Sequence, residues 1–121
     1  TNPQSTRLWL TTKLGRRRQE VFAALYLDSR HRLLSYEELF FGTIDGAAVH
    51  PREVARRALE LDAAAIIVCH NHPSGVAEPS AQDRAITKRL RSALALIDVT
   101  LLDHFIIAHD NMVSMAELGM V

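Results

Sequence analysis

The segment from His70 to Asp83 concentrates side chains that bind metals or take part in acid–base chemistry. It reads HNHPSGVAEPSAQD and follows the apolar run AAAIIVC. His70 and His72 are two residues apart at the end of a predicted strand, so alternation places both imidazoles on one side. Asp83 falls in the first turn of the next predicted helix, which the loop can fold back over the strand end. Two imidazoles and a carboxylate are ligands typical of catalytic zinc, with a fourth position open to water.

Simpler interpretations of the same segment stay open from the residues alone. Ser80 and Asp83 form an S-x-x-D pattern before an apolar helix, which is the signature of a capping box. A histidine at a strand end often serves only as a solvated or hydrogen-bonded side chain. Ser80 and Asp83 can also do both jobs, because one group can cap the helix while the other faces a metal.

The letters HNH at positions 70–72 also suggest the metal-dependent nucleases that carry this name. Those nucleases spread their residues through a ββα-metal unit, so three contiguous letters are weak evidence. The chain has 14 Lys and Arg against 14 Asp and Glu, a formal net charge of +0. Neutrality argues against a protein built mainly to coat nucleic acid, but it does not exclude a local basic patch.

The rest of the sequence predicts the elements that must position these side chains. Apolar runs and amphipathic patterns give the order β-β-α-β-α-β-β. The two helices are predicted over HPREVARRALELDA and SAQDRAITKRLRSALALID. A hairpin followed by helix-linked strands predicts an α/β fold, a mixed β-sheet flanked by helices. Residues 20–121 form the predicted domain, and residues 1–19 are a short helix or an extended lead-in, such as the end of a linker.

Bulk properties indicate one globular domain. A chain of 121 residues that is 48% apolar suits a single core. The single cysteine, Cys69, is typical of a reducing compartment, so we expect a cytoplasmic location and no membrane insertion. The start shows no signal-peptide pattern and no initiator Met, and we expect a domain of a longer protein.

The segment HNHPSGVAEPSAQD resembles the JAMM motif, H-x-H-P followed by six or seven residues and then S-x-x-D. The strings EVFAALYLD, FFGTID, VHPREVARRAL and LLDHFII resemble RadC-like proteins, and the likeness runs from about Glu20 to the C-terminus. The resemblance implies the MPN/JAB fold, with an architecture like that of cytidine deaminases. It also implies a zinc-dependent metallopeptidase or isopeptidase that acts on a peptide or protein substrate.

The resemblance further implies roles for individual residues. One zinc ion per chain is held by His70, His72 and Asp83. Glu20 acts as the catalytic carboxylate through the metal-bound water, and Ser80 helps to hold the tetrahedral intermediate. These roles agree with general chemistry, since a carboxylate can shuttle a proton and a hydroxyl can stabilise an oxyanion.

From spacing alone, Glu20 is better explained as a solvated charge beside the arginines at 16–18, and only the resemblance favours a catalytic role. Glu37 and Glu38 are competing carboxylates, although SYEELFF gives no reason to prefer them.

Other polar residues carry weaker expectations. Asp103 and His104 lie in an apolar strand, and one of them is a candidate for orienting a ligand histidine through a hydrogen bond. Cys69 should point to the opposite face from its neighbour His70 and join the core. Residues expected at the surface are His31, His50, His109 and the arginines 16–18, 52, 56 and 57.

Two alternatives to a hydrolase stay open. RadC-like proteins carry an N-terminal helix-hairpin-helix region with no counterpart in these residues, so a DNA-repair-associated module would bind nucleic acid through that region. Alternatively, a structural zinc could support a protein-interaction platform. Three ligands argue against this, because structural zinc sites are usually closed by four.

Overall fold

A computed structural model describes residues 3–44 and 48–121, except for the side chain of Pro3. The described residues form three helices and five strands. In order, they are α1 (Pro3–Leu14), β1 (Val21–Leu27), β2 (Leu33–Phe41), α2 (Pro51–Glu60), β3 (Ala65–Asn71), α3 (Ala81–Ala95), β4 (Thr100–Ala108) and β5 (Asn111–Ser114). The predicted order of strands and helices is confirmed from β1 onward.

The five strands form one mixed sheet in the order β2-β1-β3-β4-β5. Strands β3 and β4 are parallel, and the other neighbouring pairs are antiparallel. The β1–β2 pair is the predicted hairpin. Because helix α3 links two parallel strands, the carboxyl end of β3 and the amino end of α3 lie at the same edge of the sheet. The mixed sheet flanked by helices is therefore confirmed.

Helices α2 and α3 cover one face of the sheet. Helix α2 has Pro51 in its first turn, where the missing N–H costs no hydrogen bond. Its buried residues, Val54 and Ala58, join Ile86, Leu90 and others in one hydrophobic cluster with the inward side chains of β1 and β3. Polar residues, in contrast, lie at the carboxyl end of β3, next to the start of α3.

Helix α1 packs against the other face. Leu10 and Leu14 are fully buried there in a cluster that also contains Cys69. The Trp9 ring meets the edge of Tyr36 with centroids 4.7 Å apart. Of the helix and the extended lead-in expected in this segment, the structure has the helix over Pro3–Leu14; Leu10 and Leu14 join the core, whereas Leu8 is exposed.

Across the described residues, none of the helices combines the length and apolarity needed to cross a bilayer.

Candidate metal centre

The side chains of the three predicted ligands, His70, His72 and Asp83, lie together between the carboxyl end of β3 and the first turn of α3. His70 Nε2 lies 3.0 Å from Asp83 Oδ1, and His72 Nε2 lies 3.2 Å from Asp83 Oδ2. The two Nε2 atoms are 3.0 Å apart. Among the described residues, these three form the one group of His, Cys, Asp or Glu side chains close enough to hold a metal ion.

The spacing and burial of this group suit a small divalent cation. Ligand atoms of a tetrahedral zinc stand about 3.3 Å apart, since zinc–ligand bonds are about 2.0–2.1 Å. The observed separations are within a few tenths of an ångström of that value. His70 and Asp83 are buried, whereas 15% of the His72 side chain is exposed. The cluster is therefore closed towards the core and open on the His72 side.

The hydrogen bond of His72 settles its tautomer. Its Nδ1 lies 2.8 Å from the carbonyl oxygen of Val76, in the loop between β3 and α3. A carbonyl oxygen only accepts, so Nδ1 carries the hydrogen. In the neutral ring, Nε2 then presents a lone pair to the cluster.

A chain of hydrogen bonds settles the tautomer of His70. The Thr87 hydroxyl donates to the Asp83 carbonyl oxygen over 2.6 Å, so its oxygen must accept from His104 Nδ1, also at 2.6 Å. Burial lowers the pKa of His104 to about 3, which keeps that ring neutral and leaves Nε2 as an acceptor. His104 Nε2 lies 2.9 Å from His70 Nδ1. His70 therefore donates from Nδ1 and turns an Nε2 lone pair towards Asp83.

Three acceptor groups thus converge on one point, and such an arrangement needs a cation or a proton. Without a metal, the hydrogen bond to Asp83 raises the pKa of His72, with a smaller contribution from Glu20. Burial alone would raise the pKa of the Asp83 carboxyl, but its hydrogen bonds with His70 and His72 hold that pKa well below its usual range. The donor set fits zinc, and this electrostatic demand supports that fit.

Asp83 is also part of a capping box at the start of α3. Its Oδ2 accepts from the Ser80 N–H at 2.7 Å, and its own N–H donates to Ser80 Oγ at 3.0 Å. The expected double use of this S-x-x-D pattern is geometrically realised for Asp83. Ser80 Oγ accepts in this box, so its hydroxyl hydrogen stays available for another partner.

Glu20 lies immediately before β1, which pairs with β3, the strand that carries His70. Strands β1 and β3 pair with Phe22 opposite His70, and their rings stack with centroids 6.0 Å apart. The ladder stops at this pair, and the charge of Glu20 still contributes to raising the pKa of His72, so Glu20 lies within electrostatic reach of that histidine. One carboxylate oxygen, Oε2, accepts from the Ile44 N–H at 3.1 Å. The glutamate is thus oriented next to the open side of the cluster.

The two competing carboxylates have other partners on β2. Glu37 pairs with Arg57 at 2.8 Å, and Glu38 pairs with Arg17 at 2.8 Å. The hydrogen bond from Arg57 lowers the pKa of Glu37. Both therefore act as ion-paired side chains of the β2 edge.

Of the two candidates for orienting a ligand, His104 contacts His70 and Asp103 does not contact the cluster. The Asp103 carboxylate accepts from Ser114 Oγ and from the Ala116 N–H at 2.9 Å. Alternation along β4 sends these neighbours to opposite faces of the sheet. Asp103 thus fixes the turn after β5.

Two contributors were missed from the sequence. Thr87 anchors His104, and a threonine in a helix carries no sequence signal for that role. Asn71, between the ligand histidines, is 1% exposed and bonds to the segment that carries Glu20. Its place between the two histidines of HNH is its only signal in the sequence.

The other expectations about polar residues agree with the structure. Cys69 is buried, and burial raises the pKa of its thiol. The three remaining histidines, His31, His50 and His109, are exposed. Several of the arginines form ion pairs: Arg16 with Asp110, Arg17 with Glu38, Arg56 with Glu53 and Arg57 with Glu37.

Known sequences resemble the whole chain. The family model described as RadC-like JAB domain matches residues 1–120. The chain is 60% identical over 121 residues to a UPF0758 protein of Thioalkalivibrio sulfidiphilus, and 58% identical over 120 residues to one of Marinobacter nauticus. A UPF0758 protein of Shewanella baltica is 58% identical over 121 residues. These matches cover 54% of each relative, so the chain spans about half the length of the curated relatives it matches.

Proposed function

Because the chain belongs to the RadC-like JAB domain family, we propose that it is a zinc-dependent hydrolase of the JAMM type that cleaves a peptide or isopeptide bond. The observation that carries this proposal is the convergence of His70 Nε2, His72 Nε2 and the Asp83 carboxylate within hydrogen-bonding distance of one another, with the charge of Glu20 acting on His72. The family and a cluster able to hold a metal ion are findings, whereas the zinc, the bond and the substrate are our proposal.

His70, His72 and Asp83 would hold the ion. Zinc in such a site makes hydroxide available from water near neutral pH and polarises a carbonyl group. Hydrogen bonds to the Val76 carbonyl oxygen and to His104 keep His72 and His70 in the tautomer that zinc binding would require. His70 and Asp83 are almost fully buried, so solvent reaches the cluster mainly at His72.

Glu20 is the proposed general base. A carboxylate with one oxygen held by the Ile44 N–H keeps a second oxygen to accept a proton from the attacking water. It can return that proton to the nitrogen of the leaving amine. Since Glu20 lies within electrostatic reach of His72, the most exposed member of the cluster, this transfer would occur where a substrate can enter.

Ser80 is the proposed oxyanion donor. Because its oxygen accepts from the Asp83 N–H, the hydroxyl group is oriented by the capping box while its hydrogen remains free to donate. A fixed donor at the point where negative charge develops stabilises the tetrahedral intermediate without reorganising during the reaction. The same capping box thus orders a metal ligand and a hydroxyl donor.

The proposal is tested with the Glu20→Gln variant. We expect about one zinc per chain in both the unsubstituted protein and the variant, with turnover of peptide or isopeptide reporters lowered about 10²- to 10⁴-fold in the variant. The matched control is Glu37→Gln, because it makes the same change in an ion-paired glutamate on β2. Absence of zinc, full activity of Glu20→Gln, or an equal loss in Glu37→Gln contradicts the proposal.

A further inference from the structure

The side chain of Asn71 connects the ligand strand to the segment that carries Glu20. Its Oδ1 accepts from the Val21 N–H at 2.7 Å. Its Nδ2 donates to the carbonyl oxygens of Gln19 at 3.0 Å and Arg17 at 3.3 Å. These three backbone groups lie on both sides of Glu20 in the sequence, and Asn71 itself is 1% exposed.

The side-chain hydrogen bonds of Asn71 begin where the backbone pairing between β1 and β3 ends. The β1–β3 ladder ends with Phe22 opposite His70. Beyond that point the backbone of β3 follows β4, since Asn71 pairs with Ile107 and the His72 N–H donates to the Ile107 carbonyl. A carboxamide has the donor and acceptor of a peptide group. The Asn71 side chain therefore takes the place of the missing backbone partner for Val21.

The bonding pattern requires an amide in one orientation. Two carbonyl oxygens face Nδ2 and one N–H faces Oδ1, so both ends of the carboxamide are used. An aspartate at position 71 has the same shape, but it would place a carboxylate oxygen against two carbonyl oxygens. Leaving buried carbonyl oxygens without a hydrogen-bond donor lowers the free energy of unfolding. Position 71 should therefore favour asparagine over the nearly isosteric aspartate.

We propose that Asn71 is a positioning residue that fixes the Glu20 carboxylate relative to the metal ligands His70 and His72. The inference rests on the proposed role of Glu20 as general base. Two sets of hydrogen bonds fix the backbone around Glu20. Asn71 binds backbone groups on either side of it, and the Gly42 N–H donates to the Glu20 carbonyl oxygen at 3.0 Å. Because Asn71 lies between the two histidines, the three consecutive residues 70–72 would determine both the positions of the histidine ligands and their distance from the Glu20 carboxylate.

The first test needs no activity. In the metal-free and zinc-loaded protein, we expect slow hydrogen exchange for the Val21 amide and for the side-chain amide of Asn71, measured by NMR. The Asn71→Asp variant should exchange at Val21 at least tenfold faster, while Ala24 in the middle of β1 stays protected. Fast exchange of the Asn71 side chain in the unsubstituted protein, or unchanged protection of Val21 in the variant, overturns the proposal. The measurement on the unsubstituted protein decides even if Asn71→Asp fails to fold.

The second test is a double-mutant cycle with Glu20→Gln. Asn71→Asp should lower kcat about tenfold to a hundredfold with zinc content still near one per chain, since small misplacements of a catalytic group cost factors of this size. Adding Asn71→Asp to Glu20→Gln should lower kcat no further. The control Gln19→Ala, which keeps the backbone carbonyl that Asn71 uses, should leave kcat unchanged.

The outcomes of the cycle separate the two proposals. Additive losses from Asn71→Asp and Glu20→Gln would overturn the positioning role and leave the proposed function standing. Full activity of Glu20→Gln alone would overturn the proposed function and, with it, the reason to position that carboxylate. Loss of zinc from Asn71→Asp would show that Asn71 serves the ligands rather than Glu20, which also overturns the inference.

Discussion

His70 Nδ1 and His104 Nε2 lie 2.9 Å apart in the interior of the sheet, on neighbouring parallel strands. Both rings contact Phe22, with centroid separations of 6.0 Å for His70 and 5.7 Å for His104. The His70 ring is thus oriented by its hydrogen bond to His104 and by stacking against Phe22. Through His104, the orientation of His70, a proposed metal ligand, depends on Thr87 in helix α3.

Replacing His104 should weaken metal binding. His104→Leu removes the acceptor for His70 and keeps an apolar side chain in the buried position. We expect zinc affinity to fall about 10- to 100-fold, measured by competition with a chelator of known affinity. The control is His31→Asn, an exposed histidine with φ of 60° that asparagine can replace without strain. Equal affinities for His104→Leu and the control would exclude an orienting role.

The stability of the metal-free protein should fall in acid because of His104. Burial lowers its pKa from 6.5 to about 3, so between these values the unfolded chain binds a proton that the folded chain does not. The free energy of unfolding therefore decreases as pH falls from about 6.5, with a slope approaching about 1.4 kcal/mol per pH unit.

Two other groups act outside this pH window. His72, whose folded pKa is raised, contributes stability that is fully present below 6.5 and is lost as pH rises through that folded pKa. Asp83, whose folded pKa is lowered, loses its contribution only as pH falls below about 3.8. Denaturant titrations between pH 4 and 6.5 should show the slope reduced in His104→Leu, and an unchanged slope would contradict the assignment.

Substitutions of Ser80 should separate capping from catalysis. Ser80→Ala removes the side-chain cap of α3 and should lower the free energy of unfolding by about 1 kcal/mol, whereas Ser80→Gly should cost only a few tenths of that amount. Both variants lack the hydroxyl donor, so kcat should fall about 10²- to 10³-fold in each. If Ser80→Gly kept full activity, the hydroxyl would have only its capping role.

Removing the metal should leave the domain folded. The hydrophobic clusters on the two faces of the sheet are built from residues other than the three ligands. After chelation we expect the far-UV circular dichroism to be retained and thermal unfolding to stay cooperative at a lower Tm, which returns on adding zinc. Loss of helical signal would instead favour a structural zinc and the interaction platform.

Much of the fold is encoded in local patterns. Strand β1 is a continuous apolar run, β3 is apolar up to His70, and β4 is apolar apart from Asp103 and His104 in its interior. Helices α2 and α3 have apolar stripes with Pro51 and Ser80 at their starts. The resemblance to RadC-like proteins is confirmed by the family match over residues 1–120. Helix α1 was left open because its exposed and buried residues are mixed, and its position follows from burying Leu10 and Leu14 against the sheet.

The three residues of the cluster lie at the ends of two neighbouring predicted elements, so local patterns were enough to bring them together. His70 and His72 follow from alternation along β3, and Asp83 follows from the first turn of α3. Glu20 could not be selected from spacing, because its place near His72 depends on tertiary contacts, including the bond of its carboxylate to the Ile44 N–H. Tertiary hydrogen bonds recruit Thr87 and Asn71, and such bonds have no period in the sequence.

Asp83 carries the only negative charge among the three ligands, and it also faces the first turn of α3. The N-terminus of a helix has a partial positive charge of about half a unit, so this carboxylate lies between a helix dipole and the ion it would hold. With two neutral imidazoles, a divalent cation in the cluster would keep a surplus of positive charge. Small anions such as phosphate or acetate should therefore compete with substrate for the solvent-facing side of the centre.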